Sequence, residues 1–156
     1  MEEKTGTRGS GPLRIRDIRV VVTAPEGHNL IVVIVETEEP GLRGLGCATY
    51  AYRPHAVTAC IERHLRPLLI GRDARNIADL YQLVHYNAYW RNGPVVNNAL
   101  SGIDMALWDL KGREAGMPLY QLFGGACRDG ATVYWHANGD TLEALEASVQ
   151  AHLEAG

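Results

Sequence analysis

The sequence predicts an α+β fold, a three-stranded antiparallel meander followed by helices, and then the opening strand and helix of an α/β unit. Two β-rich stretches separated by turn residues open the chain, three segments with helical periodicity follow, and a strand, loop and helix pattern ends it. A chain of 156 residues can bury one core. It is shorter than the roughly 250 residues of a complete (β/α)8 barrel.

The three predicted strands come first. Ile15–Thr23 and Leu30–Glu36 are rich in β-branched residues, and the turn-rich loop Ala24–Asn29 separates them. Pro40-Gly41 marks a second turn, after which Leu45–Thr49 completes the meander. Such a sheet needs helices on its open face.

Two helices are predicted next. Pro54 is well placed to begin the first, and Pro67 ends or kinks it. Asp73 is a plausible N-cap for the second. The apolar residues that recur at helical spacing are Ala56, Val57, Cys60, Ile61 and Leu65 in the first helix, and Ile77, Leu80, Leu83 and Val84 in the second.

The stretch Asn97–Gly125 contains the central helix. Gly116 can adopt a left-handed C-cap, which predicts an end near Ala115, and Leu119–Phe123 reads as one further turn closed by a glycine pair. The apolar stripe predicted to face the core is Ala99, Leu100, Ile103, Ala106, Leu107 and Leu110.

The last segment has a different pattern. Ala131–His136 reads as a short strand, a turn follows, and Asp140 or Thr141 can cap a helix. The apolar face of that helix is Leu142, Leu145, Val149 and Leu153. This strand and helix predict the first unit of an α/β domain.

Composition excludes several classes of function. The formal net charge of −3 and the lack of a basic cluster argue against nucleic-acid or membrane binding. Met1–Gly11 has neither periodicity nor an apolar core, so we expect a disordered or artificial extension and no signal peptide. The three cysteines lack metal-ligand spacing, which favours a reduced, cytoplasmic protein with each thiol buried as a small apolar group: Cys47, Cys60 and Cys127.

The exact residues of the central segment also resemble those of a known family. Ile103–Lys111 and Gly116–Gly125 closely resemble the enolase superfamily, and the Tyr-Trp-Arg run within Ala88–Pro94 resembles its mannonate dehydratase branch, which includes D-galactonate dehydratase family members. The resemblance implies that residues 12–125 form the N-terminal capping domain. Residues 126–156 would then begin a TIM-type barrel that is truncated here.

The resemblance also implies a chemistry. In these Mg²⁺-dependent acid-sugar dehydratases, a base removes the proton α to a carboxylate, Mg²⁺ stabilises the ene-diolate, and the neighbouring hydroxyl leaves. The base and the metal-binding carboxylates come from later barrel strands, so we expect this chain alone to be inactive and to bind no Mg²⁺. A small-molecule sugar acid and a homo-oligomer are the implied partners. Two alternatives stay open: a racemase or cycloisomerase of the same superfamily, and a truncated, non-catalytic protein that only packs against partners.

His136 is the leading candidate for substrate binding. It falls at the C-terminal end of the predicted barrel strand, where barrel active sites lie, and an imidazole there can hydrogen-bond a substrate hydroxyl or carboxylate. Position alone fits a structural histidine equally well. The similar Val-Tyr-x-His-Ala-Asn-Gly context of the dehydratase branch, matched by Val133–Gly139, favours the substrate contact.

The loop after the third strand carries two further candidates. The resemblance implies that this loop closes over the barrel mouth, where Arg53 can pair with a carboxylate and Tyr52 can form a pocket wall; a solvated surface is the rival interpretation for Arg53. Mannonate dehydratases resemble Gly-Asp-Ala-Thr-Leu-Asn-Gly here, so their Asp falls on Cys47 and their substrate-contacting Asn falls on Ala51. Because these two residues differ, the resemblance does not identify mannonate itself as the substrate.

Overall fold

The computed structural model describes residues 11–155. They form two compact units, the first ending at Gly125 and the second beginning at Ala126, and each unit is described by itself. The predicted extension Met1–Gly11 lies outside the described residues except for Gly11, whose carbonyl accepts a hydrogen bond from Arg75. No helix within residues 11–155 has the length and apolar character needed to cross a bilayer.

The first unit opens with the predicted antiparallel meander, which is confirmed. Its sheet has the order β1-β2-β3, formed by β1 (Ile15–Thr23), β2 (Leu30–Thr37) and β3 (Arg43–Cys47). In β2 the side chains alternate strictly, and those facing the core are Ile31, Val33, Val35 and Thr37. This alternation is typical of a sheet covered on one face.

An irregularity near the start of β1 sets which of its residues are buried. The pairing with β2 shifts between Ile15 and Asp17, as in a β-bulge. Because a bulge inserts one residue, Ile15 and Ile18 both face the core although they are three positions apart. The outward Arg16 pairs instead with Glu36, at 2.6 Å.

The third strand, Arg43–Cys47, begins and ends two residues earlier than the predicted Leu45–Thr49. Its two glycines, Gly44 and Gly46, face the helix that covers the sheet. A Cβ built on Gly46 would lie 1.9 Å from the carbonyl oxygen of Gly102, so only glycine fits at this contact. The alternation turns Cys47 outward, and the predicted burial of Cys47 is therefore wrong, as it is for the exposed Cys127, while Cys60 is half-buried.

The helices of the first unit follow the sheet in chain order. They are α1 (Pro54–Cys60), a π-helical segment (Ile61–Leu65), α2 (Arg66–Leu69), α3 (Ile77–Tyr86), α4 (Pro94–Ala115) and α5 (Leu119–Leu122). The first three run without a break. The π segment comes immediately before Pro67, whose ring cannot accept a regular α-helical turn ahead of it.

The start of α3 differs from the prediction. Asp73 does not cap this helix, because α3 begins after Asn76. The Asp73 carboxylate accepts hydrogen bonds from the backbone N–H groups of Leu13 and Arg75, each at 3.1 Å. Asp73 therefore ties the segment before β1 to the loop before α3, a long-range contact that local sequence does not show.

The central helix is confirmed as α4, which lies across β3 and β2 and also contacts α1 and α3. Pro94 is its first residue, and Gly116 ends it in the left-handed conformation, with φ 62°. Every residue of the predicted apolar stripe is buried: Ala99, Leu100, Ile103, Ala106, Leu107 and Leu110. The further turn, α5, is confirmed, and Phe123 beyond it packs edge-to-face on Trp108 at 5.0 Å between ring centroids.

The second unit contains the predicted helix as α6 (Leu142–Ala155). Thr141 caps it by accepting a hydrogen bond from the Ala144 N–H at 3.2 Å. Residues 131–136 do not form the predicted strand. A strand is held by backbone bonds to a neighbour, and the described residues supply no strand partner for this segment.

Candidate functional site

Two loops of the first unit leave the sheet at the same end. β1 ends at Thr23, which pairs with Leu30 at the start of β2, and β3 ends at Cys47 opposite Val32. Because the strands are antiparallel, the loop 24–29 and the loop 48–53 emerge beside each other. The second of these loops carries the predicted Tyr52 and Arg53.

Tyr52 is among the most exposed aromatic residues of the first unit. Its side chain is 81% accessible, and its only ring neighbour among residues 11–155 is Tyr50, at 6.4 Å between centroids in an edge-to-face arrangement. Exposed aromatic side chains at a loop tip are typical of binding surfaces. The position fits the predicted role as a pocket wall.

Arg53 is also exposed and occupies the position before α1. One Nη1–H donates to the Tyr52 carbonyl at 2.7 Å, and within residues 11–155 no carboxylate forms an ion pair with this guanidinium. A guanidinium carries five N–H donors in a planar fork. Donors beyond the one used locally are therefore available to a bidentate carboxylate.

His136 lies in the second unit. Its imidazole is exposed and packs edge-to-face on Tyr134, with 5.3 Å between ring centroids. The Asn138 side-chain amide donates to the His136 carbonyl at 3.3 Å. The residue thus belongs to a short local turn, and its imidazole nitrogens make no hydrogen bond within the part of the chain described.

The carboxylates with shifted pKa values lie outside these loops. Partial burial would raise the pKa of Asp17, but the Arg66 side chain and the Ile18 amide together lower it. Two arginines lower the pKa of Glu36, and burial raises the pKa of Asp104 on α4. The first two are members of ion pairs on the sheet, which is a structural role.

The donor atoms for a metal ion are likewise not assembled here. Among residues 11–155, no three side chains of the His, Cys, Asp or Glu type lie close enough together to hold an ion. Mg²⁺ binding in proteins uses carboxylates in an octahedral oxygen shell. The described residues therefore do not fit a Mg²⁺ site of their own.

The fold and its loops can now be compared with known proteins. Residues 8–124 match the sequence profile of the mandelate racemase/muconate lactonizing enzyme N-terminal domain. The chain belongs to this family. The match spans the whole meander and the helices through α5 and includes both loops. The enolase-superfamily resemblance and the capping-domain fold are confirmed.

Several curated relatives of the mandelate racemase/muconate lactonizing enzyme family are similar over most of this chain. A D-galactonate dehydratase family member from Enterocloster bolteae is 54% identical over 144 residues, which is 92% of this chain and 36% of that protein. A D-mannonate dehydratase from Caulobacter vibrioides is 50% identical over 131 residues, 84% of this chain and 32% of that protein. The chain therefore spans about a third of the length of the relatives it matches.

Solved structures of related proteins are similar to this chain in fold. An enolase from Pantoea ananatis with bound D-gluconate and Mg superposes with a TM-score of 0.86 at 52% identity, over 92% of this chain and 35% of that one. A muconate cycloisomerase from Pseudomonas fluorescens superposes with a TM-score of 0.80 at 27% identity, over 92% of this chain and 41% of that one.

Sequence reasoning placed Asn29 at the end of the turn-rich loop after β1 and missed its partner. Its side-chain amide donates to the carbonyl of Ala51 in the second loop, at 3.1 Å. The antiparallel meander itself was the available signal, because it places the loops 24–29 and 48–53 at one end of the sheet.

Proposed function

We propose that this chain is the N-terminal portion of a Mg²⁺-dependent acid-sugar dehydratase. The reaction removes the proton α to the carboxylate of an aldonic acid, such as mannonate or galactonate, and eliminates the β-hydroxyl. The observation that carries the proposal is the 52% identity, over 92% of the chain, to an enolase that holds D-gluconate and Mg. The identity to D-galactonate dehydratase family members over the same span supports it.

A cycloisomerase is the weaker candidate. The muconate cycloisomerase shares the fold at a TM-score of 0.80, but only 27% of its aligned residues are identical. Since one fold hosts many reactions, this likeness in fold carries less weight than the 52% sequence identity to the Pantoea ananatis enolase.

In this proposal Arg53 binds the substrate carboxylate. Its guanidinium is exposed, lacks an ion-pair partner within residues 11–155, and retains donors in the fork geometry that suits a carboxylate. Tyr52 lies beside it and supplies an apolar wall. Ala51 offers no side-chain hydrogen bond where the mannonate dehydratases carry an asparagine, so the proposal stops at the class of aldonic acids.

His136 is the second proposed substrate contact. Its exposed imidazole can hydrogen-bond a substrate hydroxyl or carboxylate, and Asn138 holds the backbone around it. Among residues 11–155, no three side chains of the His, Cys, Asp or Glu type lie close enough together to hold a metal ion. We propose that the Mg²⁺ ligands and the catalytic base belong to the part of the relatives' length that this chain does not match. Homo-oligomeric assembly and a cytoplasmic location remain predictions.

The test uses a protein in which this segment is joined to the remaining two thirds of the Pantoea ananatis relative. We expect Arg53→Ala and His136→Asn each to lower kcat/KM on the preferred aldonic acid about ten- to a hundredfold, the worth of a hydrogen bond to a charged group. Arg53→Ala should also relax discrimination among acids more than His136→Asn does.

Matched controls come from the π-helical segment, where Arg63 and His64 are exposed. Arg63→Ala and His64→Asn should keep wild-type efficiency, and all four variants should keep the wild-type thermal midpoint. Wild-type kcat/KM in both Arg53→Ala and His136→Asn would contradict the assignment and leave both residues as solvated surface.

A further inference from the structure

The two loops at the end of the sheet are joined by one side chain. Asn29 is half-buried in the loop 24–29, and its Nδ2–H donates to the carbonyl oxygen of Ala51 at 3.1 Å across 22 residues of sequence. Ala51 immediately precedes Tyr52 and Arg53. The hydrogen bond therefore ends at the backbone that carries both proposed substrate contacts.

The base of the second loop is fixed independently of Asn29. The Ala48 N–H donates to the Ile31 carbonyl at 2.9 Å, and the Ile31 N–H donates to Thr49 Oγ1 at 3.0 Å. Thr49 Oγ1 also accepts from the Cys47 thiol at 3.1 Å. These contacts tie residues 47–49 to the start of β2 and end before the tip.

The tip itself is held by bonds within the loop and by its junction with α1, where the Arg53 carbonyl accepts from the Ala56 and Val57 N–H groups. The Arg53 N–H donates to the Tyr50 carbonyl at 3.1 Å, and the Arg53 side chain donates to the Tyr52 carbonyl. Such bonds shape the tip without attaching it to the sheet. Within the part of the chain described, the Asn29 bond is the side-chain link between this tip and the neighbouring loop.

We propose that Asn29 is a positioning residue that holds the loop 48–53 in the conformation that presents Tyr52 and Arg53 to the substrate. This inference rests on the proposed function. A loop ordered before binding loses less conformational entropy when the substrate arrives, and a contact misplaced by about 1 Å can cost a hundredfold in rate. Asn29 touches no substrate in this account and acts through the Ala51 carbonyl.

The first arm of the test measures order in the 156-residue chain. Asn29→Leu removes the donor at similar volume without adding charge, and Asn29→Asp removes it with a charge. Both should raise the exchange rate of the Arg53 amide about three- to tenfold, the range expected for one lost hydrogen bond.

The matched control is Asn98, also half-buried, whose Nδ2–H donates to the Pro94 carbonyl at 2.6 Å in α4. Asn98→Leu and Asn98→Asp should leave the Arg53 amide at the wild-type rate. Unchanged exchange in both Asn29 variants, or an equal rise in the Asn98 variants, would overturn the inference whatever the enzyme's activity.

The second arm measures kinetics in the joined protein described above. Asn29→Leu should raise KM for the preferred aldonic acid about three- to tenfold with a smaller effect on kcat. In the Arg53→Ala background the same change should have little further effect, because coupled residues are not additive. Additive losses, or wild-type KM in Asn29→Leu, would overturn the inference. A joined protein that turns over no sugar acid at all would contradict the proposed function. The exchange rates would still show whether Asn29 orders the loop 48–53.

Discussion

The close approach of β3 to α4 predicts a large effect for a single added methyl group. Gly46 faces α4, and a Cβ there would lie 1.9 Å from the Gly102 carbonyl oxygen and 2.8 Å from the Ala106 nitrogen. Both atoms are helix backbone, which cannot move aside as a side-chain tip can. Gly46→Ala therefore forces the sheet and α4 apart.

The size of the effect follows from that distance. Ordinary C···O contacts lie at about 3.3–3.6 Å, so α4 must retreat by more than about 1 Å. A gap of that size removes about half or more of each dispersion contact along the buried stripe of α4. Overpacking costs about 1–3 kcal/mol and sometimes more. We expect about 3 kcal/mol for Gly46→Ala, a substantial share of the roughly 5–15 kcal/mol that holds a domain folded.

The assay is urea unfolding followed by circular dichroism, with Gly11→Ala as the matched control. A Cβ at Gly11 meets nothing within 4 Å, so that variant should stay within about 1 kcal/mol of the wild type. Equal unfolding midpoints for Gly46→Ala and Gly11→Ala would refute the reasoning. They would mean that β3 and α4 are not in backbone contact.

Three further outcomes are expected. The folded-state pKa of Asp17 is below its ordinary 3.8, because Arg66 and the Ile18 amide outweigh partial burial. The stabilisation from this lowered pKa is present above pH 3.8 and is lost as pH falls through the folded-state pKa. The free energy of unfolding should therefore fall less steeply with acid in Asp17→Asn than in the wild type, and parallel curves would contradict this. A thiol reagent should label the exposed Cys47 and Cys127 quickly. It should label Cys60 slowly, because burial raises the pKa of the Cys60 thiol. The α6 face is open, with Leu142 75% and Leu153 72% accessible, so the chain should self-associate and Leu153→Glu should reduce this in gel filtration; a wild-type monomer at all concentrations would count against it.

Elements governed by local rules were predictable. The strands β1 and β2 follow from their β-branched runs, and α4 follows from its apolar period, with Pro94 at its start and Gly116 at its end. The cap at Thr141 is another local feature, confirmed by its bond to the Ala144 N–H. In each case the information lies within a few residues of the element.

Elements governed by contacts between distant residues were not predictable from the sequence. The glycines of β3 face α4, which begins more than forty residues later, and nothing nearby shows why glycine is required. Asp73 bonds across 60 residues to Leu13. Residues 131–136 have strand-forming composition, yet a strand exists only with a partner. Of the candidate site, the resemblance proposes Tyr52, Arg53 and His136, which stay predictions. The Asn29 bond to Ala51 required the geometry of the two loops.

The central claim is that this segment belongs to an enzyme that eliminates water from an aldonic acid. The most direct measurement incubates the joined protein with Mg²⁺ and a panel of aldonic acids in deuterated water, and follows the product by mass spectrometry and NMR. The account predicts a product formed by loss of one water, made up of the proton α to the carboxylate and the β-hydroxyl, with one solvent deuteron taken up at the β-carbon as the enol becomes a ketone. An isomer of unchanged composition, or no product from any acid in the panel, would contradict it.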